Sequence, residues 1–220
     1  MNDINRIANE YDKNYFENGI PTGKSGYVNY RWVPELTIPL VYRIIQIAGM
    51  KEFERILDFG SAKGYLVYAF RLLDFEAYGC DISEYAISKS HEEIKEYNVL
   101  MTSNEIPFKK SFDWVIVKDV LEHIPYEQID ELIKHFLKKT NKCFVVVPLG
   151  DGNKYIIPDY EADITHLIKE DANWWKEKFE NNGFEVSSWS YNMDKVKSSW
   201  KHYKNGNAYF VLKNRYLLED

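Results

Sequence analysis

The sequence predicts an α/β protein: a Rossmann-like, seven-stranded, mostly parallel sheet with an antiparallel C-terminal strand pair and helices on both faces. Three observations predict it. From about Arg55 onward, short and nearly continuous apolar runs alternate with amphipathic segments, the pattern of parallel strands covered on both faces. The first of these runs ends in "LDFGSAKGYL", the turn chemistry of a strand entering a helix. The last two, "FEVSSWSY" and "NAYFVLKN", have no helical pattern between them and read as antiparallel neighbours.

Taken in order, "PELTIPLVYRIIQIAG" reads as a helix packed against the sheet edge. "RILDFG" is the first strand and "GYLVYAFRLL" its helix. "EAYGCD" is the second strand, and "SEYAISKSHEEIKEY" a helix capped by Ser83. "NVLMT", "FDWVIVKD" and "KCFVVVPL" are strands three to five, with the helix "YEQIDELIKHFLKKT" between the last two. "DANWWKEKFENN" is a late helix stopped by Gly183. Repeats and low-complexity linkers are absent. The expectation is one structural domain, residues 1–50 forming a lid and helix on a core of residues 51–220.

Charge and cysteines narrow the function. With 28 Lys and Arg against 34 Asp and Glu and no dense basic block, the chain lacks the usual footprint of a nucleic-acid grip. The start, "MNDINRIANEYDKNY", has no apolar signal core and no run is long enough to span a bilayer, so no membrane insertion is expected. Cys80 and Cys143 both lie in apolar strand-like runs; buried thiols are expected there, which fits a reducing cytoplasm. Near the N-terminus, "NGIPTGKSG" imitates a phosphate-binding loop. Only three residues separate Gly19 from Gly23-Lys24-Ser25, where four are needed, and the preceding "NEYDKNYFEN" is too polar for a buried strand. A surface loop is the better reading.

In doubly wound sheets, ligands bind at the carboxyl ends of the strands. Asp58, Gly60, Ala62 and Gly64 form D-x-G-x-A-x-G after the first strand, where small residues let backbone approach a ligand. Asp81 ends the second strand, placed to accept ribose hydroxyls, with Ile82 beside it. A dinucleotide fingerprint counted from Gly60 needs a small residue where Tyr65 stands, and Asp58 suits a cationic ligand better than a pyrophosphate.

From about Arg55 to Asn214 the sequence resembles the class I S-adenosylmethionine-dependent methyltransferases. "NEIPFKKSFDWVIVKDVLEHIP" matches that family's turn and fourth strand, and "HLIKEDANWWKEKFENNGFEV" its late helix and "GF" turn. The resemblance implies that Asp58 and the first-loop glycines hold the methionine end of S-adenosylmethionine, and Asp81 the ribose. Ala62 stands where the family has a middle glycine. Thr102, next to Ser103, stands where an acid usually meets the adenine amino group, and a hydroxyl or carbonyl would take its place. Asp119 is placed on the same rim.

Asp119, Glu122 and His123 are spaced i, i+3, i+4, so a helical turn would gather them on one face, with His166 arriving from beyond strand five. This cluster is similar to the metal site of small-RNA 2′-O-methyltransferases and ubiquinone-pathway O-methyltransferases, which have Glu where Asp119 stands. Three readings are open. His123 lines the pocket; or His123 or His166 acts as general base; or Asp119, Glu122, His123 and His166 hold Mg²⁺ or Mn²⁺ that acidifies the acceptor hydroxyl. In the Tyr-rich head, Tyr27, Tyr30, Arg31 and Trp32 read either as cover for a sheet edge or as a lid on the acceptor, with Lys24 and Ser25 near an acceptor phosphate. The whole pattern resembles methyltransferases of bacterial surface-polysaccharide gene clusters. That implies a small-molecule acceptor, a sugar, nucleotide-activated sugar or phosphate-containing precursor, rather than DNA, whose amino-methyltransferase motif is absent after strand four. An RNA 2′-oxygen, another metabolite, or a non-catalytic cofactor-binding regulator are the alternatives.

Overall fold

The computed structural model describes residues 7–103 and 105–216. Seven strands, β1 (Arg55–Phe59), β2 (Glu76–Asp81), β3 (Asn98–Leu100), β4 (Trp114–Lys118), β5 (Lys142–Pro148), β6 (Phe184–Ser190) and β7 (Asn207–Asn214), form one sheet in the order β3-β2-β1-β4-β5-β7-β6. The first five run parallel, and β7 is antiparallel to both β5 and β6. Alternation along the strands decides what covers them. Leu57, Val115, Val117, Val145 and Phe210 point to one face. There they meet helices α6 (Ile129–Leu137) and α7 (Ala172–Asn181) through Ile133, Phe136, Trp175 and Phe179. Their neighbours Ile56, Trp114, Ile116, Phe144 and Val211 point to the other face, under α3 (Pro34–Ala48) and α4 (Tyr65–Leu72).

Helix α3 was expected at the sheet edge and is found on this face instead. Its Val41 and Ile44 are fully buried in one apolar cluster with Val67 and Phe70 of α4 and Ile56, Ile116, Phe144 and Val211 of the sheet. The helix expected over residues 83–97 is also shorter. Ser83 caps α5 (Glu84–Ser88) by accepting from Ala86 N at 3.0 Å, but a separate 3₁₀ turn, Glu92–Ile94, follows. Asn98 is the reason. Its Nδ2 donates to Ser90 Oγ (2.8 Å) and Ala62 O (3.1 Å), while its Oδ1 accepts from Ser61 Oγ (2.6 Å), drawing the chain toward the first loop. Cys80 and Cys143 are buried free thiols, and no described helix is long and apolar enough to cross a membrane.

Before the sheet, two short helices, α1 (Lys13–Glu17) and α2 (Gly19–Thr22), carry an aromatic layer over the strand ends. Tyr15 and Phe16 are buried there beside Tyr11, Tyr27, Tyr30 and Tyr85. The phosphate-loop lookalike serves this layer. Ser25 Oγ donates to Tyr15 O at 2.6 Å, and a Cβ on Gly19 would lie 2.0 Å from Ser25 Oγ. Lys24 Nζ pairs with Asp12 at 3.1 Å and Glu10 at 3.9 Å. Both residues expected near an acceptor phosphate are thus committed to the head's own packing.

Candidate active site

Strand order reverses between β1 and β4, and a crevice opens at their carboxyl ends. Gly60 turns the chain out of β1 at φ +75°, where a Cβ would strike Val120 Cγ2 at 2.4 Å. Asp81 fixes the loop: one carboxylate oxygen accepts from Ala62 N and the other from Ser83 N, each at 2.7 Å. Asp58 is buried at the end of β1, and its Oδ2 has no hydrogen-bond partner among the described residues. Burial pushes the Asp58 carboxyl up to about 7; the Lys118 ammonium opposes this and Asp81 reinforces it.

The crevice leads into a cavity of about 210 Å³. Gly60, Ala62, Asp81, Ile82 and Asp119 line its floor, Met101 a wall, and Tyr11, Tyr15, Phe16, Tyr27 and Tyr30 its roof. His123 lies on the same lining. Other sequence candidates stand elsewhere. Gly64 packs its bare Cα toward Ile94 and Asn98, where a Cβ would meet Ile94 Cδ1 at 2.5 Å. Thr102 and Ser103 are exposed and off the lining, so Met101 replaces them as the wall after β3. Arg31 is exposed, and Trp32 packs outside the cavity on Tyr65 and Tyr68, with ring centroids 5.9 and 5.0 Å away. Only Tyr27 and Tyr30 of the expected acceptor-binding residues reach the cavity.

The rim after β4 differs from the expected helical turn. Asp119 takes φ +56°, and a 3₁₀ turn, Leu121–His123, follows. Asp119 therefore leaves the Glu122–His123 cluster and pairs with Lys118 Nζ at 2.5 Å and with Lys197. Burial pushes its carboxyl up, but the two ammonium groups outweigh burial and hold it well below the usual carboxylate range. Lys197 Nζ also donates to Tyr160 Oη (2.9 Å) and Asn207 Oδ1 (3.0 Å). A carboxylate so neutralised is a poor metal ligand, which corrects the four-residue set.

The loop after β5 folds back across the rim, because Leu167 N and Ile168 N donate to Glu122 O at 2.7 and 3.0 Å. Glu122, His123 and His166 then offer three ligand atoms within 4.8 Å of one another. Glu122 is buried and its Oε2 has no partner among the described residues; burial, and then Asp119, raise its carboxyl well above the ordinary range. His123 Nδ1 lies 2.8 Å from Thr165 Oγ1, and His166 Nδ1 lies 2.9 Å from Tyr160 O. Burial and the neighbouring His166 press His123 down to about 4, and burial lowers His166 as well, so both rings are neutral near pH 7. Two neutral imidazoles with Nδ1 engaged, beside an orphaned carboxylate oxygen, fit a divalent ion.

Lys118 and Lys197, which neutralise Asp119, stand in no motif of the sequence, whereas "DITH" places Asp163 and Thr165 beside His166 and is a local signal.

A doubly wound sheet with a glycine turn at its switch point and carboxylates ending its first two strands defines a nucleotide-cofactor-binding α/β fold of the class I methyltransferase type. The chain belongs to the methyltransferase-domain family, whose model matches residues 31–190. Solved structures share the fold at low identity. An S-adenosylmethionine-dependent methyltransferase from Archaeoglobus fulgidus is 19% identical, with a TM-score of 0.61 over 83% of this chain and 95% of that one. Magnesium protoporphyrin IX methyltransferase from Synechocystis PCC 6803, solved with bound S-adenosylhomocysteine, is 16% identical, with a TM-score of 0.60 over 90% and 86%. The cyclase SpnF is 14% identical, with a TM-score of 0.60 over 80% of each chain. No curated protein matches the chain.

Proposed function

We propose that the chain transfers a methyl group from S-adenosylmethionine to an oxygen of a small polar acceptor. The observation that carries the cofactor reading is Asp58: a buried carboxyl with no partner on Oδ2 among the described residues, next in the chain to Phe59 and Gly60 of the cavity lining, at a switch point where the glycine turn lets backbone approach. A ligand with an ammonium and a sulfonium answers that unmet charge, whereas a pyrophosphate would repel it. Asp81 and Ile82 suit the ribose, and Met101 the base. In the reaction the acceptor oxygen attacks the methyl carbon, the carbon–sulfur bond breaks with its electron pair going to sulfur, and the acceptor's proton leaves to a base. His123, neutral and on the cavity lining, is that base. The half-open cavity beneath a tyrosine roof has room for a small acceptor, and the resemblance of the sequence to polysaccharide-cluster methyltransferases supports a sugar, a nucleotide-activated sugar or a phosphate-containing precursor of surface polysaccharide.

The test is a screen of activated sugars and nucleotides for formation of S-adenosylhomocysteine. Clean methylation of RNA 3′ ends would move the acceptor while keeping the chemistry. Cofactor binding with no turnover on any acceptor would favour a non-catalytic binding protein.

The orphaned Glu122 Oε2 favours a second reading, in which Glu122, His123 and His166 hold a divalent ion. Such an ion would lower the pKa of an acceptor hydroxyl. This imidazole-rich set suits Mn²⁺, Fe²⁺ or Zn²⁺ better than Mg²⁺. Metal analysis of purified protein, and turnover in chelator, separate the two. Full activity in chelator, from metal-free protein, leaves His123 as the base.

A further inference from the structure

We infer that Thr165 and Asp163 are positioning residues that hold His123 as the Nδ1–H tautomer, leaving Nε2 as the nitrogen with a free lone pair. The inference rests on the reading of His123 as the base. Three donors converge on the Asp163 carboxylate: Thr165 Oγ1 at 2.6 Å and Thr165 N at 3.0 Å on Oδ1, and Tyr15 Oη at 2.7 Å on Oδ2. A carboxylate receiving three donors accepts and does not give. The single Thr165 hydroxyl proton is therefore spent on Asp163, and Thr165 Oγ1 can only accept from its other neighbours, the Tyr11 hydroxyl and His123 Nδ1. His123 Nδ1, at 2.8 Å, must then carry the ring proton.

The arrangement matters because the two tautomers present opposite groups at Nε2, the nitrogen that Thr165 leaves free. With Nδ1 protonated, Nε2 can take a proton from an acceptor. With Nε2 protonated, the ring's lone pair sits on Nδ1, against Thr165, and not at the free nitrogen. The Asp163 carboxylate also anchors the roof, since Tyr15 belongs to α1 and its hydroxyl is bound to Oδ2. Ile164 N donating to Lys24 O at 3.2 Å is a second tie between the same segments. One buried carboxylate thus links closure of the head to the tautomer of the base.

The experiment is ¹⁵N NMR of the histidine rings near pH 8, with steady-state kinetics, on wild type, Thr165→Val, Thr165→Ser and Asp163→Ala. Wild type should show a protonated, pyrrole-type Nδ1 and a pyridine-type Nε2 on His123. Thr165→Val should move the ring toward the Nε2–H form and lower kcat by about 100-fold, the scale of a lost general base, with little change in the cofactor's KM. Thr165→Ser, which keeps the hydroxyl, should restore both readouts. Asp163→Ala frees the Thr165 proton to turn toward Nδ1 and should give a mixture of tautomers. A ring that stays Nδ1–H in Thr165→Val, or a tautomer that flips while kcat holds, overturns the inference. Wild-type turnover by His123→Ala overturns instead the base reading beneath it, and is told apart because the ring shifts of the Thr165 variants are read without turnover.

Discussion

Asp58 sets a conflict between stability and binding within one side chain. Its carboxyl is held near 7 against an ordinary value of 3.8, so its charged form is disfavoured in the fold by on the order of 4 kcal/mol. The sign follows from proton counting. Between pH 4 and 7 the folded chain keeps a proton that the unfolded chain has lost, so Asp58's contribution is intact below about 4 and gone above about 7. His123 and His166, held below their ordinary range, act in the opposite sense, so the effect must be read as a difference. Asp58→Asn should be more stable than wild type by an amount that grows from pH 4 to 8, measured by urea denaturation, and should lose cofactor binding. In wild type, S-adenosylhomocysteine affinity should rise with pH up to about 7, approaching tenfold per pH unit, because the ligand's ammonium requires the charged carboxylate. Titration calorimetry at pH 5, 6 and 7 checks this, and a flat profile would remove Asp58 from the site. Gly60→Ala should lose 1–3 kcal/mol of stability from its positive φ and its clash with Val120, and Val120→Ala in the same chain should recover part of that.

Among the elements, the first loop and the head are locked together by Lys63. Its ammonium is buried and donates to Glu17 Oε1 and Tyr30 O, each at 2.5 Å, while Tyr85 Oη donates to the same carboxylate at 2.9 Å. Lys63→Met removes the cation and leaves Glu17 facing only the tyrosine. Amide hydrogen exchange over residues 13–30 should quicken at least tenfold, with far less change in β1, β4 and β5. Equal quickening throughout would mean that Lys63 supports the whole fold and not the head. This clamp shows where sequence reading stops. The strands were legible because apolar residues run nearly unbroken through them, and the first-loop motif because Asp58, Gly60 and Asp81 act at fixed local offsets. Lys63 in "GSAKG" carried no such signal, since Glu17 and Tyr30 reach it only through tertiary folding. The shortened α5 failed for the same reason: helical spacing in "SKSHEEIKEY" lost to the side-chain bonds of Asn98. Asp119, Glu122 and His123 had the spacing of one helix face, but the positive φ at Asp119 turned the first of them toward two lysines.

At the scale of the whole molecule, an ordinary doubly wound sheet brings together groups far apart in the chain. The head supplies the roof, β1 and β2 the carboxylates, the turn after β4 the proposed base His123, and the loop after β5 Thr165 and His166 beside it. Titration calorimetry with S-adenosylhomocysteine and with NAD, on wild type and Asp81→Ala, shows whether the switch point takes an S-adenosyl ligand. One S-adenosylhomocysteine should bind per wild-type chain, with binding about tenfold or more weaker in Asp81→Ala, and NAD should not bind; tight binding of NAD with none of S-adenosylhomocysteine would exclude an S-adenosyl site.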